Sequence, residues 1–287
     1  MSIQQITIVG TGLIGGSLAL ALKQAGFAGA IVGCDKPAVL EMAHARGAID
    51  RTEADLERAV IGSDVVVLAT PVGGILAQLE TLAPLLPPTT LITDAGSTKQ
   101  RLVERARALF GDAAKERVLP GHPMAGKEVG GIENADPSLF SGAVWLITPI
   151  DADQRPTALQ HEYMKLLQSI GCRIVMLEAD QHDRLCAWIS HLPQMMATAL
   201  AATLREELGD DDAVWQIGGR ALREMTRIAH SPYSMWRDIA LTNSENLEEA
   251  LTRYEQQLAH LRENLRGPGL RELFESANQF GRSENKD

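Results

Sequence analysis

The segment ITIVGTGLIGGSLALAL, residues 6–22, constrains this chain more than any other. A β-branched apolar run, a G-x-G-x-x-G at Gly10, Gly12 and Gly15, and a stretch of helical spacing follow one another without a gap. Gly10 permits a tight turn, Gly12 lets backbone approach a pyrophosphate, and Gly15 allows close packing of helix on strand. The helix that opens through Thr11, Leu13 and Ile14 offers free N–H groups and a partial positive charge to phosphates. Glycines alone are weak evidence. Here Asp35 also ends the second strand, about twenty residues on, as a dinucleotide site requires. No lysine follows the glycines as in a P-loop, which argues against nucleoside triphosphate hydrolysis.

Asp35 bears on the choice of cofactor. A carboxylate there accepts hydrogen bonds from ribose hydroxyls and repels a 2′-phosphate. Two unit charges about 4 Å apart at an effective dielectric near 20 repel by roughly 4 kcal/mol. NAD is therefore the expected cofactor, with Lys36 able to soften the discrimination against NADP.

The same alternation continues downstream. Residues Ile6–Val9, Ala30–Gly33, Asp64–Ala69 and Thr90–Thr93 read as buried strands, and Leu13–Ala25, Pro37–Arg46, Val72–Ala83 and Lys99–Leu109 as amphipathic helices. Such order predicts right-handed βαβ units and a Rossmann-type parallel sheet with helices on both faces. Strands near Val118, at Ala143–Thr148 and at Arg173–Leu177, with a helix before Gly171, extend the pattern. Beyond about Ala179 no strand-like segment appears. The expected organisation is an α/β dinucleotide-binding domain over 1–179 and an all-α domain over 180–287. In the second, Pro193 should kink or break a helical stripe that runs from Leu185 to Met196. Thr242 with Glu245 offers a capping box to a helix whose apolar stripe runs from Leu247 through Leu251, Tyr254, Leu258, Leu261 and Leu265, and which Gly267-Pro268-Gly269 ends. Such a seam is more often an intrachain core stripe. A helical domain this small is nonetheless expected to complete its core against a second copy, as a homodimer. Residues Arg282–Asp287 read as a frayed tail.

Composition narrows the partners. With 37 acidic against 27 basic residues the formal charge is −10, so nucleic acid is not expected. Three scattered cysteines without a CxxC, and no HExxH or similar spacing, point to neither a disulfide framework nor a metal site. No apolar run approaches the ~20 residues of a membrane span, and no signal peptide precedes Ile3. A cytoplasmic protein acting on a small molecule is expected.

Several loops should meet at the carboxyl edge of the sheet. ATPV brings Thr70 and Pro71, DAGSTK brings Ser97, and HPMAG brings His122 on the following loop. His122 beside a nicotinamide is a candidate proton acceptor, although a lone histidine is more often structural. Ser97 could equally cap the next helix. In the helical half, Arg227 suggests a guanidinium aimed at a carboxylate, its plainer role being a salt bridge with Glu224 or Asp238. His191 has the alternative of a satisfied core histidine. His182 and Asp183 read as a solvated first helical turn.

Taken together, GTGLIGGS, DAGSTK, HPMAG, WISHLP and MTRIAHSPYSMWRD resemble the prephenate/arogenate dehydrogenase family of tyrosine biosynthesis, in order, from Ile3 to about Leu265. The resemblance implies NAD-dependent oxidation of a cyclohexadienol with loss of carbon dioxide. Prephenate would give 4-hydroxyphenylpyruvate, and arogenate would give tyrosine. It also implies that His122 takes the proton of the ring 4-hydroxyl and that Ser97 holds that hydroxyl. Arg227 would bind a substrate carboxylate, with His191 near the side chain. Lys127, where many relatives carry a small hydroxyl residue, and Glu128 would frame the side-chain end. Prephenate is the expected substrate if Lys127 points into the pocket, and pairing of Glu128 or Glu224 with an ammonium would favour arogenate. The 6-phosphogluconate and β-hydroxyacid dehydrogenases also join such domains, but they need a lysine in the helical domain, and none occurs between Lys165 and Lys286. A sensor that binds NAD without chemistry is the remote alternative.

Overall fold

The computed structural model of the protein describes residues 3–209 and 211–282. Six parallel strands build the main sheet: β1 (Gln5–Val9), β2 (Ala30–Cys34), β3 (Arg51–Thr52), β4 (Val65–Leu68), β5 (Leu91–Asp94) and β6 (Val118–Leu119). Their spatial order is β3-β2-β1-β4-β5-β6. Helices α1 (Leu13–Gln24), α2 (Pro37–Ala45), α3 (Leu56–Ala59), α4 (Val72–Leu82), α5 (Gln100–Phe110) and α6 (Ala114–Arg117) lie between the strands in sequence.

Central strand β4 shows why the sequence folds this way. Neighbouring residues on a strand face opposite sides. Accordingly Val65 and Val67 join one apolar cluster with Ile6, Ile8 and Ile31, while Val66 and Leu68 join the other with Val9, Val32 and Ile92. Both faces are covered, which is what a continuous Val/Leu run requires. Each such burial contributes roughly 1.5–3 kcal/mol. Strand order reverses between β1 and β4, so a crevice opens beyond their carboxyl ends.

After β6 the parallel pattern stops. The chain leaves the main sheet at Pro120, which has no N–H for a ladder; its carbonyl instead accepts the Thr148 N–H at 2.9 Å. Strand β7 (Gly121–Pro123) then pairs antiparallel with β8 (Val144–Ile147), and β8 pairs parallel with β9 (Arg173–Met176) across α7 (Ala158–Ser169). His122 therefore sits within a short strand, not on the loop expected from sequence. That placement holds its backbone against Leu146 of β8.

From Ala179 onward the described residues form helices joined by short turns, with no strand among them: α8 (Ala179–Cys186), a π-helical turn (Ala187–His191), α9 (Leu192–Leu208), α10 (Asp212–Ile217), α11 (Arg220–Thr226), a 3-10 turn (Arg227–His230), α12 (Tyr233–Thr242), α13 (Ser244–Glu263) and α14 (Gly269–Arg282). Pro193 does not break the stripe. It lies in the first turn of α9, where its missing N–H has no intrahelical partner to lose, and the preceding turn widens instead. The expected capping box at Thr242 is not formed. Its hydroxyl donates to the Asp238 carbonyl at 2.7 Å, and Asn243 occupies the cap position of α13. The stripe that begins at Leu247 is a core stripe only at its start: Leu247 is buried, whereas Leu258 and Leu261 on α13, and Leu265 just beyond its end, are exposed. Arg282 closes α14, and the rest of the expected tail lies outside the described residues. No helix among the described residues is long and apolar enough to cross a membrane.

Candidate active site

The glycine turn has the shape that dinucleotide binding needs. Gly10 has φ +92°, and a Cβ there would meet the Ala69 carbonyl oxygen at 2.7 Å. A Cβ at Gly15 would lie 2.8 Å from Ile8 Cγ2 and strike the Gly10 carbonyl, so only glycine lets α1 lie this close to β1. At Gly12, by contrast, nothing lies within 4 Å, which leaves space beside the backbone for a ligand. Gly12 is also the cap residue of α1 and supplies no side-chain cap, so the first-turn N–H groups face that space. Asp35 at the end of β2 accepts the Thr11 N–H at 2.8 Å and the Lys36 N–H at 2.7 Å. Its remaining lone pairs suit ribose hydroxyls. The residues present fit a bound dinucleotide.

Two neighbouring loops are tied together by one buried carboxylate. Asp94 accepts the Gly96 N–H at 2.8 Å through one oxygen and the Gly121 N–H at 3.0 Å through the other. It also forms an ion pair with Lys99, whose side chain is fully buried. Ser97 and His122 are thus presented from segments locked to each other. Ser97 is half-buried, and it does not cap α5. That role falls to Asp183 from the helical half, which accepts the Lys99 N–H at 2.7 Å and the Gln100 N–H at 2.9 Å.

His122 is buried, and its Nδ1 lies 2.9 Å from Nε2 of His182. Nδ1 of His182 lies 2.8 Å from the Asp183 carboxylate. Burial holds the His122 imidazole well below its ordinary pKa, and nearby His182, Lys99 and His191 push the same way. It is neutral, as a proton acceptor must be. His182 and Asp183, read from sequence as solvated, are both completely buried. The sequence signal that could have found them is two polar residues on the apolar face of α8, four and three positions before Cys186. Ligand atoms of His122, His182 and Cys186 lie within 4.8 Å of one another. Burial pushes the Cys186 thiol up to about 12, and two of the nitrogens of this group already pair with each other, His122 Nδ1 with His182 Nε2 at 2.9 Å.

The helical half contributes His191 from the π turn. Asn243 approaches its Nδ1 at 3.2 Å, and Trp236 stands edge-on with ring centroids 5.9 Å apart. Its Nε2 is buried without a partner among the described residues. Burial lowers its pKa to about 4. A neutral ring whose Nδ1 accepts from Asn243 carries its hydrogen on Nε2, so this orphaned atom is a donor awaiting an acceptor. Arg227 is largely exposed and forms an ion pair with Glu128, not with Glu224 or Asp238. Asp238 instead pairs with Arg237 and accepts the Gly73 N–H at 2.9 Å, capping α4 just after Thr70 and Pro71. Lys127 Nζ lies 3.1 Å from the Asp136 carboxylate and 3.2 Å from the Asn134 carbonyl. Its charge is taken there, which removes the electrostatic argument for prephenate that required it in the pocket.

A parallel sheet with an open glycine turn, joined to an all-helical domain across a buried imidazole, is the architecture of a two-domain dinucleotide-dependent dehydrogenase. Family models sharpen this. That described as "Prephenate dehydrogenase, nucleotide-binding domain" matches residues 18–176, and "Prephenate dehydrogenase, dimerization domain" matches residues 178–279. The chain belongs to the prephenate dehydrogenase family. It is 32% identical over 256 residues to a prephenate dehydrogenase of Lactococcus lactis subsp. cremoris (strain MG1363), covering 89% of this chain and 69% of that one. It superposes on the crystal structure of prephenate dehydrogenase from Aquifex aeolicus, in complex with hydroxyphenyl propionate and NAD+, with a TM-score of 0.87. Identity there is 30%, over 99% of this chain and 98% of that one. A Synechocystis arogenate dehydrogenase superposes with a TM-score of 0.76 at 29% identity, over 98% and 99% of the two chains.

Proposed function

We propose that this protein is an NAD-dependent prephenate dehydrogenase, converting prephenate to 4-hydroxyphenylpyruvate and carbon dioxide in tyrosine biosynthesis. The observation that carries the reading is His122: a neutral, buried imidazole on β7, at the edge of the sheet where the glycine turn opens. NAD would be held by Gly10, Thr11, Gly12, Leu13, Ile14 and Gly15, with Asp35 and Lys36 toward the ribose and Thr70 and Pro71 on the neighbouring loop, and would supply the hydride acceptor. His122 accepts the proton of the ring 4-hydroxyl as hydride leaves C4, and Ser97 orients that hydroxyl. Breaking the bond from C1 to its carboxylate releases carbon dioxide and aromatises the ring, and the proton then returns to the phenolic oxygen. Aromatisation provides the driving force, so the protein's work is positioning and proton transfer.

His191 donates its unpartnered Nε2–H to an oxygen of the substrate. Arg227 exchanges Glu128 for a substrate carboxylate, a bidentate match for its fork. Glu128, freed in that exchange, is the group that would take the ammonium of arogenate, and Lys127 stays anchored on Asp136. The named activity of relatives at 31–32% identity supports prephenate over arogenate. The family's dimerisation domain, with the apolar side chains exposed on it, supports a homodimer. A cytoplasmic location, a division near Ala179 and no requirement for metal complete the reading. Initial rates of NADH formation at 340 nm with prephenate and arogenate, each with NAD and NADP, test it. Prephenate with NAD should give the highest catalytic efficiency. A tenfold advantage for arogenate would overturn the substrate, and silence with all four pairs would overturn the enzyme.

A further inference from the structure

Beyond His122 itself lies a buried chain that the reaction as written does not use. Asp183 is held at the start of α5 by two backbone N–H donors, at 2.7 and 2.9 Å, where the helix dipole favours its negative charge. A carboxylate can only accept, so His182, whose Nδ1 is 2.8 Å away, must carry its hydrogen on Nδ1. Burial lowers the pKa of His182, and the ring is neutral. Its Nε2 is consequently a bare acceptor. His122 Nδ1, 2.9 Å from that atom, must therefore be the donor, which leaves His122 Nε2 as the lone pair available to a substrate. A histidine side chain free in water prefers the opposite tautomer, with hydrogen on Nε2, and that form could not accept a proton there.

We propose that His182 and Asp183 are positioning residues that fix His122 in the tautomer able to act as a base. The other groups facing this chain do not undo the assignment. Lys99 from the start of α5 is paired with Asp94 at the end of β5, and His191 from the π turn is neutral with its Nδ1 on Asn243. Cys186, one turn along α8, places its sulfur 3.7 Å from His182 Nε2 as a weak thiol donor. A hydrogen bond to the far nitrogen of a catalytic histidine that selects its tautomer recurs in catalysis, and losing it costs up to about 10⁴ in turnover in a Ser-His-Asp site.

The inference rests on His122 being the base, so the experiment reads the tautomer apart from the activity. In the full-length protein, ¹⁵N NMR of the His122 ring should show hydrogen on Nδ1 and none on Nε2. His182→Asn keeps an amide near Asp183 but falls short of His122; it should move the hydrogen to Nε2 and lower kcat by about 10²-fold or more, with KM and NAD affinity within about threefold. His182→Gln, whose carbonyl reaches the position of Nε2, should keep the wild-type tautomer and lie within about tenfold of wild-type kcat. Hydrogen on Nε2 of wild-type His122 would overturn the proposal, as would equal damage in the two variants or an undisturbed His182→Asn. If His122→Asn proved harmless instead, the base assignment would fall while the NMR result still decided the tautomer.

Discussion

In the nucleotide-binding half, every residue of β4 from Val65 to Leu68 is shut away on both faces of the sheet. In the helical half, Ile217 is 84% exposed and Tyr233 is 77% exposed, with Trp215, Leu258 and Leu261 also open to water. The first half closes its own core, whereas the second presents apolar surface that water disfavours. The contact between them is of a third kind. Asp238 caps α4, Asp183 caps α5, and Thr98 and Thr242 share a hydrogen bond of 2.8 Å. Helices of one half thus end on carboxylates of the other, so the relative placement of His122 and His191 is set by polar groups with defined geometry. In the proposed reaction the base, His122, belongs to the sheet half, and two of the groups proposed to grip the substrate, His191 and Arg227, belong to the helical half.

The sharpest attack on that division is His122→Asn. Turnover should fall by about 10²–10⁴, the usual worth of a positioned base, while NAD binding by calorimetry stays intact. The same residue predicts a pH profile. Only the neutral ring accepts a proton, and its pKa in the fold is held well below 6.5 by burial and by His182, Lys99 and His191. Activity should therefore persist as pH falls through 6.5 and be lost only at lower pH. An acid limb centred at 6.5 or above would show that the titrating group is not His122 in this setting.

Arg227→Ala attacks the helical side. A charge-assisted hydrogen bond contributes about 1.5–3 kcal/mol, so KM for prephenate should rise roughly 10–100-fold with NAD affinity unchanged. Because Arg227 is largely exposed and touches the fold through Glu128, the melting temperature should hardly move. A collapse in stability, or a loss of NAD binding, would make it a structural residue and blur the division.

How much of this was legible in the sequence follows the same boundary. Strand alternation and the glycine spacing are local patterns, and Ile6–Val9, Leu13–Ala25 and Asp64–Ala69 lie within a residue or so of the elements observed. The glycine turn follows β1, Ser97 follows β5 and His122 follows β6, so a parallel sheet sends all three to the edge formed by its carboxyl ends. What was not legible depends on contacts across the boundary. Nothing near Asp183 in sequence announces that it caps a helix 83 residues earlier. The Arg227–Glu128 pair spans about a third of the chain, and the departure of β7 from the sheet turns on Pro120. The exposed end of the α13 stripe looks identical in sequence to its buried start.

That exposed stripe gives the next test. Leu258→Glu with Leu261→Glu should weaken self-association at least tenfold in sedimentation equilibrium, since charging apolar interface positions costs about 1–3 kcal/mol. Ile61→Glu, at a comparably exposed apolar residue of the sheet half, should leave association unchanged. If both alter the oligomer, the apolar surface of the helical half has no special standing. If neither does, the dimer forms through other residues of that half.

The smallest effect should come from Asp35, at the far end of the nucleotide-binding half. Its carboxylate is partly satisfied by the Thr11 and Lys36 N–H groups, and the Lys36 charge is adjacent, so the repulsion of a 2′-phosphate falls short of the roughly 4 kcal/mol of a bare pair. Asp35→Ser removes that repulsion together with the hold on Thr11. We expect the ratio of catalytic efficiencies, NAD over NADP, to shrink by about tenfold, or ~1.4 kcal/mol, through a lower KM for NADP and a higher KM for NAD. Prephenate KM at saturating cofactor should not change, because none of the residues proposed to hold the substrate (Ser97, His122, Glu128, His191 and Arg227) hydrogen-bonds Asp35, whose partners are Thr11 and Lys36. A wild-type enzyme equally efficient with both cofactors would reverse the reading and make Lys36 a phosphate ligand. A change in prephenate KM would show that the two halves are coupled through the glycine turn more tightly than their polar interface implies.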